Sequence, residues 1–206
     1  NSTSGLVCAH HHLYSTLARG MPSPPTSPTD FLSTLQQIWW RLDAQIDEET
    51  LYWSAALGAA EALLSGTTSI IDHHESPRFI EGSLDVIARA CSDIGVRVNT
   101  CFGVTDRWAN DGSQHSSVSP NSAMTQSAHR GLAECDRYLS AGGRGMVGVH
   151  AAFTCSNETL EAAAELAKKH AVGVHIHVAE GADDANAGSR LEHLATDDWL
   201  LVHCVL

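Results

Sequence analysis

The stretch TTSIIDHHESPRFIEGSLDVIARACSDIGVRVNTCFG, residues 67–103, decides the fold. It opens on a short apolar, β-branched run at 67–72 and carries apolar residues at helical spacing over 77–94. It then closes on a second apolar run at 96–103. A strand, a helix and a strand in this order are typical of a βαβ unit with parallel strands. The stretch therefore predicts an α/β fold built on a parallel sheet.

The same alternation continues on both sides of this unit. Four more apolar runs predict strands, at 5–10, 145–150, 172–177 and 199–204. Between them, apolar residues at helical spacing predict helices at 31–46, 48–65, 121–141 and 156–170, with Asp47, Asn121 and Ser156 as N-caps. We expect residues 1–206 to form one partial (β/α)8 barrel of TIM type with about six βα units, because a closed barrel needs eight strands and about 250 residues.

Charge and composition limit the kinds of partner that the protein can bind. The chain has 12 Lys and Arg against 24 Asp and Glu, a net charge of -12, which disfavours nucleic acid and anionic membranes. It contains no apolar run of about 18 residues that would span a membrane, and its first residues lack the order of a signal peptide. Six scattered cysteines form no C-x-x-C pair and are interpreted as reduced thiols. We expect a cytoplasmic protein that acts on a small molecule.

Histidines end several of the predicted strands. In GLVCAHHHLYSTLARGM (5–21), His10 and His12 are two residues apart and share a strand face. Two imidazoles on one face make half a metal site, although histidines near a terminus can also have no role. In VGVHIHVAE (172–180), His175 and His177 share a face and Glu180 follows. Either histidine alone could be a core residue, but the two clusters together favour a metal.

Three further strand ends carry histidine. His150 closes strand four in GVHAAFTCS, His203 closes strand six in LLVHCVL, and strand two ends on Asp72, His73 and His74. A lone histidine such as His203 is often a satisfied core residue. Barrel enzymes, however, place their catalytic residues at this end of the strands.

The chemistry explains why these residue types would be needed. Neutral imidazoles suit zinc or ferrous iron, and a metal with an open position lowers the pKa of a bound water toward about 7. A nearby carboxylate can take the proton and return it to a leaving amine. Glu180 is the candidate for that carboxylate.

Five motifs in chain order resemble those of the amidohydrolase superfamily, in the branch of aminohydrolases and chlorohydrolases that includes S-adenosylhomocysteine, guanine, 8-oxoguanine and cytosine deaminases. They are the strand-one H-x-H, the G-T-T-x-x-x-D-H-H of strand two, the H-A-x-[YF]-x-C-S of strand four, the H-x-x-E of strand five and the H-C of strand six. The H-x-H alone is weak evidence for this superfamily, but the five motifs in this order are specific for it and cover nearly the whole chain.

The resemblance implies a role for each motif residue. It implies one divalent metal, zinc with iron as the alternative, on His10, His12 and His177. It implies that Glu180 shuttles the proton and that His203 orients the hydroxide or polarises the reacting group. It also implies substrate contacts, for which the candidates are His150, His74 and Arg19.

The resemblance also implies parts that this sequence does not contain. The family has a flanking β-sandwich and, at the end of strand eight, an aspartate that is the fourth metal ligand. We therefore expect the 206-residue chain alone to be impaired. We also expect the open barrel edge to pair with another copy, giving a homo-oligomer.

The reaction implied is hydrolytic deamination of an aminated purine, pyrimidine or triazine, an attack on a carbon–nitrogen bond other than a peptide bond. One alternative is a non-catalytic metal-binding fragment. Another is a related barrel hydrolase that acts on a cyclic amide or a carbon–halogen bond. Binuclear relatives hold two metals with a carboxylated lysine on strand four, whereas here strand four ends in His150, which favours a mononuclear site.

Overall fold

The computed structural model describes residues 2–109, 113–115 and 117–206. One sheet of six parallel strands runs through it in sequence order. The strands are β1 (Leu6–His11), β2 (Thr67–His74), β3 (Arg97–Val104), β4 (Val147–Ala151), β5 (Val174–Val178) and β6 (Leu200–His203). All six predicted strands are present, and helices connect them as in a (β/α) barrel, so the predicted fold class is confirmed.

Seven α-helical segments lie among these strands in the described residues. They are α1 (Phe31–Thr34), α2 (Trp40–Asp43), α3 (Glu48–Leu64), α4 (Ser83–Ile94), α5 (Gln126–Ser140), α6 (Asn157–His170) and α7 (Ala187–Leu191). The predicted caps of α3 and α6 are confirmed, because the side chains of Asp47 and Ser156 accept from the backbone N–H three residues later. In the described part of the chain, no helix has the length and apolar character needed to cross a membrane.

Two predicted helix starts were wrong. The segment predicted at 121–141 becomes helical only at Gln126, and its cap is Thr125 instead of Asn121. Asp106 accepts a 2.7 Å hydrogen bond from the Thr125 backbone N–H, which helps to hold that residue extended just before the helix. The segment predicted at 77–94 becomes helical at Ser83, because Gly82 adopts the left-handed conformation (φ 85°).

The segment predicted as one helix at 31–46 is also divided. It contains a π-helical turn, Leu35–Trp39, between α1 and α2, and it ends at Asp43. A single π turn within a helix is frequent at functional sites. Here the turn carries Trp39 toward the cavity described below.

Side chains of β2 alternate between the two faces of the sheet. Ile70 packs in the hydrophobic cluster that contains Leu84 and Ile87 of α4, so residues 70, 72 and 74 face the helices. His73 lies on the other face, with its ring centroid 4.6 Å from that of His177 on β5. Strands distant in sequence therefore direct histidines into one space inside the curved sheet.

Candidate metal centre

Three histidines meet inside the barrel: His10 of β1, His12 directly after that strand, and His177 of β5. The ring centroids of His10 and His12 are 4.7 Å apart, and those of His10 and His177 are 5.0 Å apart. The His12 and His177 centroids are separated by 5.2 Å. The structure therefore brings together the three residues named as ligands, although 165 positions separate His12 from His177.

Backbone carbonyls fix the orientation of two of these rings. His12 Nδ1 donates to the His73 carbonyl at 2.8 Å, and His177 Nδ1 donates to the His150 carbonyl. Since a carbonyl can only accept, each Nδ1 carries the hydrogen and each Nε2 keeps its lone pair. Orientation of this kind, through the second ring nitrogen, is typical of metal-binding histidines.

The two Nε2 atoms of His12 and His177 face each other at 3.3 Å. Neither carries a proton, so they cannot hydrogen-bond to each other, and two lone pairs at this distance repel. A cation between them removes the repulsion. Two nitrogens bound to tetrahedral zinc at 2.0–2.1 Å lie about 3.3 Å apart, so the pair fits a metal.

His10 is oriented by a chain of weaker donors. The Cys101 thiol donates to the Asp72 carbonyl at 3.5 Å, so its sulfur accepts from His175 Nδ1 at 3.6 Å. His175 Nε2 then accepts from His10 Nδ1 at 2.9 Å. In this arrangement His10 also keeps its Nε2 lone pair free.

Burial keeps these imidazoles neutral. Together with the smaller effect of neighbouring histidines, it lowers the pKa of His12 to about 3 and the pKa of His10 to about 4. Burial also brings the pKa of His177 well below its usual range. The neutral form is the one that binds a metal, so protons compete weakly for these ligands near neutral pH.

Ring nitrogens gather in two overlapping groups. One contains His12, His73 and His177, the other His10, His177 and His203, and the nitrogens within each group lie within 4.8 Å of one another. The expected ligands are thus divided between the groups, with His177 in both. Sequence reasoning did not name His73 as a neighbour of these expected ligands. The alternation that starts at Ile70 could have shown it.

An acid lies beside these histidines. Glu180 Oε2 is 3.3 Å from His203 Nε2, and the His203 ring stacks on His177 with centroids 5.5 Å apart. Burial raises the pKa of Glu180; the neighbouring His203 opposes that shift and Asp184 adds to it. The structure therefore places a carboxyl group of raised pKa next to the histidine cluster.

His150 presents an acceptor to the same space. Its Nδ1 donates to the Thr154 hydroxyl at 2.8 Å, while that hydroxyl donates to the Ala151 carbonyl at 3.1 Å. Burial lowers the pKa of His150, so the ring is neutral and its Nε2 is an acceptor.

Asp184 joins the segments that carry these two residues. Its carboxylate accepts from the backbone N–H of Phe153 at 2.9 Å and of Ala179 at 2.8 Å. Phe153 follows His150 by three positions, and Ala179 directly precedes Glu180. Asp184 is itself 1% exposed.

A cavity of about 300 Å³ opens over the histidines at the C-terminal ends of the strands. This is a typical size for a small-molecule site. Its apolar wall is formed by Phe31, Leu35, Trp39, Trp40 and Phe153. Its polar lining consists of His10, His12, Tyr14, Asp43, Glu75, His150, His177, Glu180, Asp184 and His203.

Two candidate substrate contacts lie elsewhere. Arg19 is on the outer surface, where its Nη1 donates to Glu61 at 2.8 Å. His74 is fully buried on the helix-facing side of β2 and hydrogen-bonds the Ser76 hydroxyl at 2.7 Å. Neither lines the cavity, and their roles in binding substrate stay predictions.

Sequence reasoning missed a buried charge cluster at the cavity wall. Arg107 Nη2 donates to Asp43 at 2.5 Å and to Glu75 at 2.9 Å, and all three side chains are 1–2% exposed. The Arg107 guanidinium lies 5.0 and 5.1 Å from the ring centroids of Trp40 and Trp108. The three charged residues come from separate segments, and no spacing in the sequence connects them.

Comparison with known proteins gives a consistent result. The model of the amidohydrolase family matches residues 3–199. The chain is 32% identical over 188 residues to the 5-methylthioadenosine/S-adenosylhomocysteine deaminase of Symbiobacterium thermophilum. This alignment covers 90% of this chain and 38% of that protein. It is 32% identical over 206 residues to the 8-oxoguanine deaminase of Pseudomonas aeruginosa, covering 95% of this chain and 44% of that protein. The chain thus spans less than half the length of these relatives.

Solved structures share the fold at lower identity. An adenosine deaminase from Xanthomonas campestris with bound zinc superposes with a TM-score of 0.74 at 23% identity, over 96% of this chain and 44% of that one. Atrazine chlorohydrolase from Arthrobacter aurescens, complexed with zinc, superposes with a TM-score of 0.70 at 20% identity, over 98% of this chain and 49% of that one.

Proposed function

This chain belongs to the amidohydrolase family, and we propose that the protein catalyses metal-dependent hydrolytic deamination of an aminated heterocycle: a purine, pyrimidine or triazine. The observation that carries the proposal is the pair of unprotonated Nε2 atoms of His12 and His177, 3.3 Å apart, close to the acid Glu180. Two curated relatives at 32% identity are deaminases, which supports the reaction type.

His10, His12 and His177 would hold one divalent metal. Three neutral imidazoles suit zinc, with ferrous iron as the alternative. A metal at this position supplies the positive charge that makes water a nucleophile at neutral pH. The carbonyls of His73 and His150 keep two of the rings aimed at it.

Glu180 would take the proton from the attacking water and deliver it to the leaving amine. A carboxyl group serves best in both directions when its pKa lies closer to neutrality, and burial raises the pKa of Glu180. His203, 3.3 Å from that carboxyl group, would orient the water or polarise the reacting carbon–nitrogen bond.

His150 and the aromatic wall would bind the substrate ring. A neutral His150 can accept a hydrogen bond from a ring or exocyclic N–H through Nε2. Trp39, Trp40 and Phe153 offer flat apolar surfaces on which a heterocycle can stack. A neutral or cationic ring is also compatible with the net charge of -12.

The test uses the natural gene product that carries this sequence, loaded with zinc or iron, and a panel of aminated purines, pyrimidines and triazines. Release of ammonia from at least one member is expected. Glu180→Gln should lower kcat by about 10²–10⁴-fold, the usual contribution of a general acid–base group, while metal content stays unchanged.

The panel also separates the alternatives. Cyclic amides and chlorotriazines are included, and turnover of only these would redirect the proposal to another hydrolase. Metal binding with no turnover of any compound would favour a non-catalytic metal-binding protein. If the wild-type protein binds no divalent metal, the proposed function is wrong.

Two further proposals concern the location of the protein in the cell and its assembly. We place the protein in the cytoplasm, which is supported by six unpaired cysteines, as expected in a reducing compartment. We also propose a homo-oligomer, supported by Trp53, Leu57 and Leu64 of α3, which are 58%, 39% and 89% exposed. Light scattering on the purified protein tests the assembly.

A further inference from the structure

We propose that His73 is a direct ligand of the divalent metal, a fourth imidazole donor beside His10, His12 and His177. The inference deepens the proposed function and rests on it, because it presupposes a metal at the His12–His177 pair. It concerns a residue that the motifs gave no role at the metal.

The hydrogen bonds of His73 leave one nitrogen free for this purpose. His73 Nε2 lies 3.2 Å from the Val149 carbonyl, which can only accept, so Nε2 carries the hydrogen. With that hydrogen on Nε2, Nδ1 of the neutral ring holds a lone pair. The His73 side chain is fully buried, and Nδ1 has no hydrogen-bond partner among the residues that the structure describes. A buried acceptor left in this state is unfavourable unless something binds it.

Distance places the His73 ring within reach of the same metal. A ring nitrogen of His73 lies within 4.8 Å of nitrogens of both His12 and His177. The His73 ring centroid is 4.6 Å from that of His177 and 5.6 Å from that of His12. Imidazole ligands around one tetrahedral zinc have centroids about 5 Å apart, so these separations suit a shared metal.

The two overlapping histidine groups do not require two metals. His177 belongs to both, and its Nδ1 is already bonded to the His150 carbonyl. Only Nε2 of His177 remains, and one nitrogen lone pair binds one metal. His73 would therefore share the one metal held by His12 and His177, with His10 as a further ligand.

The neighbouring strand leaves room for this ring. A Cβ at Gly103 of β3 would lie 2.4 Å from His73 Cε1 and 2.5 Å from Glu75 Oε1. Any larger residue at position 103 would displace the His73 ring or Glu75. Glycine at this strand position thus allows His73 to occupy the space next to the ligands.

The experiment compares metal affinity in the natural gene product, using zinc in competition with a chromophoric chelator. His73→Phe removes the donor and keeps a ring of similar size. His74→Phe is the matched control, since His74 is the next residue on the same strand, equally buried and on the opposite face. We expect His73→Phe to weaken zinc binding by more than about 100-fold, the upper end for loss of an outer-shell partner. His74→Phe should leave it within a few-fold of wild type.

The cobalt-substituted protein provides a second readout that does not depend on activity. Loss of one donor lowers the coordination number, so the visible d–d bands of the Co²⁺ form should gain intensity and shift in His73→Phe but not in His74→Phe. Equal zinc affinity and unchanged bands in the two variants would overturn the inference and leave the proposed function standing. Absence of metal binding by the wild type would instead overturn the proposed function and this inference with it.

A crystal structure of the zinc-loaded wild type keeps the inference testable if His73→Phe does not fold. His73 Nδ1 is then expected about 2.0–2.1 Å from the zinc. A zinc bound by His10, His12 and His177 with His73 Nδ1 beyond bonding distance would refute it.

Discussion

Replacing Arg107 by methionine tests the buried charge cluster at the cavity wall. Arg107 is 1% exposed and is the cation that contacts both Asp43 and Glu75. Methionine has a similar length and can still pack against Trp40 and Trp108. The substitution therefore removes the positive charge with little loss of volume and leaves two carboxyl groups buried.

The expected loss of stability is large because solvent does not screen this cluster. Removing one partner of a buried ion pair usually costs about 3–5 kcal/mol, since the remaining charge is uncompensated. For a chain of this size, that corresponds to a fall of about 6–20 °C in Tm. An exposed pair offers the contrast: Arg130, 41% exposed, pairs with Glu81, and such pairs contribute about 0–1 kcal/mol.

The loss should also depend on pH. Burial raises the pKa of Asp43 to about 6 and that of Glu75 to about 8, while Arg107 holds both lower than burial alone would. A carboxyl group whose pKa is raised in the folded state destabilises the fold as pH rises from its unfolded value through its folded value. Without Arg107 both pKa values rise further. The stability difference between variant and wild type should therefore grow from about pH 5 to pH 8 and shrink toward lower pH.

Urea denaturation followed by tryptophan fluorescence measures the effect, at pH 5 and pH 8, with Arg130→Met as the matched control. Trp40 and Trp108 flank the altered residue and report on it directly. The reasoning is refuted if Arg107→Met loses no more stability than Arg130→Met. It is also refuted if the loss is the same at the two pH values.

Two further substitutions test how the centre is held in place. Asp184→Ala should lower kcat by about tenfold or more, the effect typical of losing an outer-shell partner. The control is Asp183→Ala, at an exposed neighbouring position, which should leave kcat unchanged. Steady-state kinetics measures both variants, and equal rates would contradict the prediction. Gly103→Ala should weaken zinc affinity by displacing the His73 ring, whereas Gly188→Ala should not, because a Cβ at position 188 meets no atom within 4 Å. Chelator competition measures the zinc affinity of both variants. Unchanged affinity in both would contradict the prediction and show that His73 tolerates the extra methyl group.

The strands were predictable because each is a short apolar run, and burial on both faces of a parallel sheet requires such runs. Helix caps were predictable where the capping side chain and the N–H it accepts lie three residues apart, as at Asp47 and Ser156. The start of α5 was not, because Asp106, 19 positions away from Thr125, fixes that segment. Local patterns do not contain such long-range contacts.

In the candidate site, too, some positions follow from local patterns and strand order and others do not. His10, His177 and His203 converge because the carboxyl ends of parallel strands lie at one end of a barrel, so strand order alone predicts their proximity. Arg19 follows β1 closely, yet the 3₁₀ turn Leu13–Ala18 that precedes it leads its side chain to Glu61 on α3. The conformation of that turn is not encoded in the spacing of motif residues.

His73 and His74 show how far register decides chemistry. The two residues are identical, adjacent and equally buried, but a period of two places one toward His12 and His177 and the other toward the helices. A slip of one residue in β2 would exchange them. β2 pairs with β3 without interruption from Ser69 to His74, and Ile70 anchors the same strand in the hydrophobic core. The register, and with it the histidine that joins the cluster inside the barrel, is therefore set by apolar packing and strand pairing several residues away from the site.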